Sequence, residues 1–189
     1  FANNIVLPII LMIMVISGAV TFTVFFTPLY YLDVKILDIP GQSGYSLDLI
    51  SRNYDTLINY MSVFNHGELA FPDLAMSPMG KIHFEEVKNI FVILQILLPI
   101  TAAVGIPWSI YLYIKKHERF FFKIAGIITL ALPVFLGIWA AINFDSLFIT
   151  FHKIAFRNDY WIFYPSLDPV INILPEEFFM HALILIVGI

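Results

Sequence analysis

Hydrophobic positions run together in four long stretches of this chain, and the polar positions collect between them. From Asn4 to Leu32 there is no charged residue. A membrane-spanning helix needs about 20 apolar residues, so this stretch is long enough to span with tilt. It is too long and unbroken for a cleaved signal peptide. The pattern predicts spans over about residues 4–32, 87–114, 124–144 and 171–189, with large polar segments at 33–86 and 145–170. If the last span starts after Pro175 it is short as given, so it is expected to continue past Ile189. The fold class expected is all-α transmembrane, a four-helix bundle in one membrane domain, residues 1–189, with a small mixed α/β extracytoplasmic cap.

Charge placement predicts orientation. Lys115, Lys116, Arg119 and Lys123 crowd the short segment between the second and third spans. Segment 33–86 has only Lys35, Arg52 and Lys81 beside eight acidic residues. Basic loops favour the cytoplasmic side, so both polar segments are expected outside and both termini inside. No internal repeat marks a secondary transporter.

Within the first polar segment, Val34–Ile39 partly alternates and ends at Pro40-Gly41, which predicts a short strand. Ser46 is placed to cap a helix whose apolar face carries Leu47, Ile50, Tyr54, Leu57, Ile58, Met61 and Phe64, ended by Gly67 in a left-handed cap. In the second segment Asp145 or Ser146 is expected to cap a short helix. Ser146, Thr150, Lys153 and Arg157 fall on one stripe, and His152 falls beside Phe148 and Ala155. His152 is therefore expected to turn inward, while Lys153 and Arg157 meet headgroups.

Composition removes whole classes of function. The chain is 60% hydrophobic and 13% charged, against roughly 25% charged in a soluble domain. That excludes a disordered chain and a basic nucleic-acid binder. A net charge of −4 is too small to imply a charged partner. The absence of cysteine excludes a disulfide framework, a zinc–thiolate site and a Cys nucleophile. Ser43 and Ser77 lack the setting of a nucleophile elbow.

The remaining chemistry lies in histidines and carboxylates. His83 stands at the mouth of the second span and His152 just beyond the third, on the same side. Together they make a candidate general acid–base pair. The bland alternative is two interfacial histidines satisfied by backbone or water. His66-Gly67-Glu68 and His83-Phe84-Glu85 share an H-x-E spacing, and with His152 and Asp159 form a weak candidate metal set. Glu176 and Glu177 open the fourth span, and either is placed to orient a catalytic histidine. Glu177 and His181, at i and i+4, are placed to meet.

These residues also carry a resemblance. His66-Gly67-Glu68, Ser77-Pro78, His83-Phe84-Glu85-Glu86-Val87, the block Phe151–Phe163 (FHKIAFRNDYWIF) and Leu174–Phe179 (LPEEFF) resemble the lipoprotein intramolecular transacylases, small integral membrane proteins of Gram-positive bacteria. The resemblance implies an enzyme in the cytoplasmic membrane whose site faces the extracytoplasmic side. It would move the sn-2 acyl chain of a diacylglyceryl-cysteine lipoprotein to the cysteine α-amino group, giving the lyso form. It maps the catalytic pair onto His83 and His152, here read as base and acid with the order reversible. Arg157, Asn158 and Trp161 are the expected donors to the oxyanion or peptide carbonyls. Lys153, Asp159, His66 and Glu176 complete the expected substrate contacts. No cofactor and no metal is expected. The expected partners are the diacylated lipoprotein and membrane lipid, with no nucleic acid, and the expected state is a monomer. The competing readings are a metal-dependent membrane hydrolase and a non-enzymatic lipid-binding assembly factor.

Overall fold

The computed structural model describes residues 2–189 and is helical throughout, with no strand among the described residues. Eight α-helices follow in order: α1 Val6–Phe25, α2 Thr27–Ile36, α3 Ile39–Ser43, α4 Leu47–Tyr60, α5 Pro78–Tyr111, α6 Phe120–Ile142, α7 Phe144–Ala155 and α8 Glu176–Gly188. Three segments are long and apolar enough to cross a membrane: Val6–Phe25, Pro78–Lys116 and Phe120–Ile142. The fourth expected stretch, 171–189, corresponds to α8, which is not among these three. Pro175 sets the start of α8 at Glu176, later than the expected 171.

The long helices pack side by side, α1 antiparallel to α5 and parallel to α6, with α8 against α1 and α6. Leu7 and Leu11 of α1 meet Leu112, Phe121 and Ala125, so the start of α1 lies beside the end of α5 and the start of α6. At Gly105 a Cβ would stand 3.1 Å from Ile10 and 3.2 Å from Leu11, so glycine permits the close approach of α1 and α5. The outer faces carry exposed Ile93, Ile96, Ile100, Ile127, Leu130 and Phe135, as helices in contact with lipid require.

The main core lies at the other end. Tyr30, Val34, Ile39, Ile50, Tyr54, Leu57, Phe84, Val170 and Ile173 form one buried cluster joining α2, α3, α4, the first turns of α5 and the 3₁₀ turn Pro169–Asn172. The Tyr30 and Tyr54 rings stack at 3.5 Å, and the Tyr30 hydroxyl donates to Ile173 O at 2.8 Å. This cap is all helical, which corrects the expected α/β mixture. Val34–Ile39 forms no strand because Pro28 near the start of α2 favours a helix there, and Tyr30, Asp33 and Val34 share one buried face at helical spacing. The same proline helps break the predicted first span, so α1 and α2 join at Phe26.

Ser46 does cap α4, accepting from Leu49 N at 3.2 Å, but the helix stops at Tyr60. Gly67 is not a left-handed cap, and Phe64 leaves the apolar face and is 88% exposed. Asn143, not Asp145 or Ser146, caps α7, accepting from Ser146 N at 2.8 Å. Its backbone leaves the helical region there, so α6 and α7 meet at one residue.

Candidate active site

His83 lies in the second turn of α5, and that turn is anchored from a distant part of the chain. Ser77 caps α5 by accepting from Gly80 N at 2.9 Å. Asp168, 3% exposed, accepts from Ser77 N at 2.7 Å and from Ser77 Oγ at 2.8 Å. Its carboxylate sits at the positive end of the helix dipole. A Cβ on Gly80 would run into Asp168 Oδ1, so glycine is required where the carboxylate crosses the helix. Ser77 is thus occupied in a cap. Asp168 gave no signal in sequence because its partner Ser77 lies 91 residues away, beyond α5, α6 and α7.

His152 is set in the last turn of α7. Both imidazoles are buried, His83 at 6% and His152 at 8% exposure, and their ring centroids are 5.9 Å apart. Aromatic rings enclose them. Phe156 lies 4.8 Å from His83 and 5.6 Å from His152, Phe163 lies 5.5 Å from His83, and Trp161 and Phe148 lie 4.8 and 4.1 Å from His152. Such walls exclude water and strengthen every polar interaction within them.

The two rings are held differently. His152 Nδ1 is 2.7 Å from Phe148 O. A carbonyl oxygen only accepts, so Nδ1 carries the proton and the neutral ring offers its Nε2 lone pair. Burial holds this imidazole below its ordinary pKa, and the hydrogen bond to Phe148 O opposes that shift. His83 Nδ1 is buried with no partner.

The other expected site residues divide into near and far. Asn158 Nδ2 donates to Glu86 Oε1 at 2.8 Å, and Trp161 Nε1 donates to Asn158 O at 3.1 Å. Two of the three expected donors, Asn158 and Trp161, are therefore engaged within the protein. Arg157 is exposed and lines a notch with Glu86 and Phe156. Lys153, in the last turn of α7, and Asp159, just after that helix, are exposed. His66 and Glu68 lie on the exposed turn after α4, where Glu68 pairs with Lys81 at 2.5 Å.

Glu176, exposed at the start of α8, lies beside Asp145. Neither it nor Glu177 orients His152, because Phe148 O does so. His181 pairs with the buried Asp33 at 2.8 Å, where Glu177 was expected. Among the described residues no three His, Asp or Glu side chains gather as metal ligands, so the H-x-E pairs do not assemble into a site.

No curated protein gave a significant match. The in meso structure of the membrane integral lipoprotein intramolecular transacylase Lit from Bacillus cereus matches at 40% identity and a TM-score of 0.93, over 98% of this chain and 88% of that one. Two structures of the same Bacillus cereus protein, with a histidine replaced by arginine or by alanine, match at 40% identity and a TM-score of 0.84. They cover 98% of this chain and 84% and 86% of theirs. A family model described as lipoprotein intramolecular transacylase Lit matches residues 5–179. With nearly its whole length in register with that family, and a membrane-integral relative of the same fold, the chain belongs to the lipoprotein intramolecular transacylases and is a membrane acyltransferase.

Proposed function

We propose that this enzyme moves the sn-2 acyl chain of a diacylglyceryl-cysteine lipoprotein onto the cysteine α-amino group, using His152 as general base and His83 as general acid. One observation carries the assignment: the two imidazoles stand 5.9 Å apart in an aromatic enclosure. The direction of proton flow follows from the tautomer. His152 donates through Nδ1 to Phe148 O, which leaves Nε2 to accept a proton from the amine. This reverses the order favoured from sequence.

The chemistry balances without a cofactor. An α-ammonium has a pKa of about 8 and must lose a proton before it attacks. His83 passes one proton to the departing glycerol oxygen as the ester C–O bond breaks and the amide C–N bond forms. Of the three ammonium protons, the amide keeps one, the glycerol hydroxyl gains one and solvent receives the last. Amine and ester belong to one molecule, so orientation supplies much of the rate. Arg157, the expected donor still free of an ion pair among the described residues, stabilises the oxyanion. Lys153 steers anionic headgroups.

The site belongs to the end of the bundle opposite Lys115–Lys123, so it faces the extracytoplasmic side of the cytoplasmic membrane in a multi-pass protein. All its residues come from one chain, which supports a monomer. The test uses purified protein and a diacylglyceryl lipopeptide, with the N-terminus read by mass spectrometry. Acyl transfer to nitrogen is expected. An acyl chain that stays on glycerol, or leaves as free fatty acid, overturns the proposal.

A further inference from the structure

Below the two histidines α5 carries a second buried acceptor without a partner. Glu86 lies one turn after His83, on the same helical face. Its Oε1 accepts from Asn158 Nδ2 at 2.8 Å, while its Oε2 is buried and bonds to nothing among the described residues. A notch of about 330 Å³ opens here, lined by Glu86, Asn89, Ile90, Ala155, Phe156 and Arg157. Phe156 ties the notch to the reaction site, since its ring is also 4.8 Å from His83. A buried carboxylate oxygen with no partner is costly, and a bound donor would repay it.

We infer that Glu86 Oε2 receives the α-amino group of the lipoprotein's N-terminal cysteine. The notch suits that group in two ways. A chain N-terminus presents a cationic donor and, two bonds further on, a peptide carbonyl. Glu86 supplies an acceptor for the first, and Arg157, whose five N–H donors exceed what one oxyanion uses, supplies a donor for the second. The acceptor is also fixed in place. Asn158 Oδ1 accepts from Tyr160 N at 3.0 Å, and Trp161 Nε1 donates to the Asn158 backbone carbonyl, so the residue that braces Glu86 is held through both its side chain and its main chain. Glu86 is thus a specificity residue that selects a free amine and aims it at the imidazoles, and Asn158 is its positioning residue. The inference rests on the reading of His83 and His152 as the reacting pair.

The test measures binding without turnover, in a His152→Ala background. A fluorescent diacylglyceryl lipopeptide is displaced either by the same lipopeptide or by its desamino analogue, in which hydrogen replaces the α-amino group. With Glu86 intact, the free amine should bind at least about tenfold more tightly, as a charge-assisted bond to a buried carboxylate implies. Glu86→Gln keeps the acceptor for Asn158 and replaces the free oxygen with an N–H donor, so the preference should vanish. Preference that survives Glu86→Gln, or that is absent with Glu86 intact, overturns the inference. The second outcome is read on a chain with native Glu86 and does not depend on how the variant folds. Turnover separates the two readings. Full transacylation by His83→Ala and His152→Ala would remove the histidine pair itself, whereas their inactivity beside an unchanged amine preference in Glu86→Gln would remove only the role of Glu86.

Discussion

The His83 and His152 imidazoles lie 5.9 Å apart and tilted by 37°, although one ring comes from the start of a long apolar helix and the other from the end of a short amphipathic one. In the proposed reaction that pairing is the place for proton transfer.

Removal of either ring should therefore stop the chemistry and spare the bundle. His83→Ala and His152→Ala are each expected to lower the rate by about 10² to 10⁴, the usual contribution of a positioned acid or base. Single-turnover assays on a lipopeptide, read by mass spectrometry, give that number. Near-native rates in both variants would point to structural histidines and to the assembly-factor reading.

The state of His152 should be visible directly. Burial holds its pKa below the ordinary 6.5, so it is neutral and able to accept a proton at pH 7. As pH falls through its pKa the ring gains a proton at Nε2, and the contribution of this base is lost. Side-chain NMR of labelled protein in micelles should show the resonance titrating below 6.5. A midpoint above 6.5 would contradict the buried setting. The Nδ1–H signal should also show the slow exchange of a proton held by Phe148 O.

Asp168 and Gly80 should behave as one unit. Asp168→Ala removes the acceptor for both Ser77 donors, and Gly80→Ala forces a Cβ into the carboxylate. Each change is expected to cost about 1–3 kcal/mol of stability and to lower activity by loosening the turn that carries His83. The double variant should cost less than the sum of the two, because they disrupt the same contact. Thermal unfolding in detergent measures all three, and strict additivity would show that the two positions act separately.

Chelation distinguishes the remaining alternative. His66 and Glu68 are exposed on the turn after α4, Glu68 is tied to Lys81, and neither joins His83. Treatment with chelator should leave the rate unchanged, and so should Glu68→Gln. A rate that collapses with chelator and returns with a divalent ion would favour the hydrolase reading.

The sequence by itself determined the apolar segments, the α4 helix with its Ser46 cap and the inward turn of His152, because each depends on spacing within one stretch of chain. The family was legible too, since its motifs are contiguous. The cap was misread where a weak alternation at Val34–Ile39 competed with helical burial of Tyr30, Asp33 and Val34. The start of the last apolar stretch was placed too early, because Pro175 delays α8 to Glu176. Only the tertiary structure decided what each polar side chain meets. Asp168 on Ser77, Asn158 on Glu86, Asp33 on His181 and the carbonyl behind His152 involve partners that spacing alone does not name. A hydrogen bond forms over about 3 Å between atoms oriented toward each other, and that orientation exists only after α5, α7 and the cap have packed.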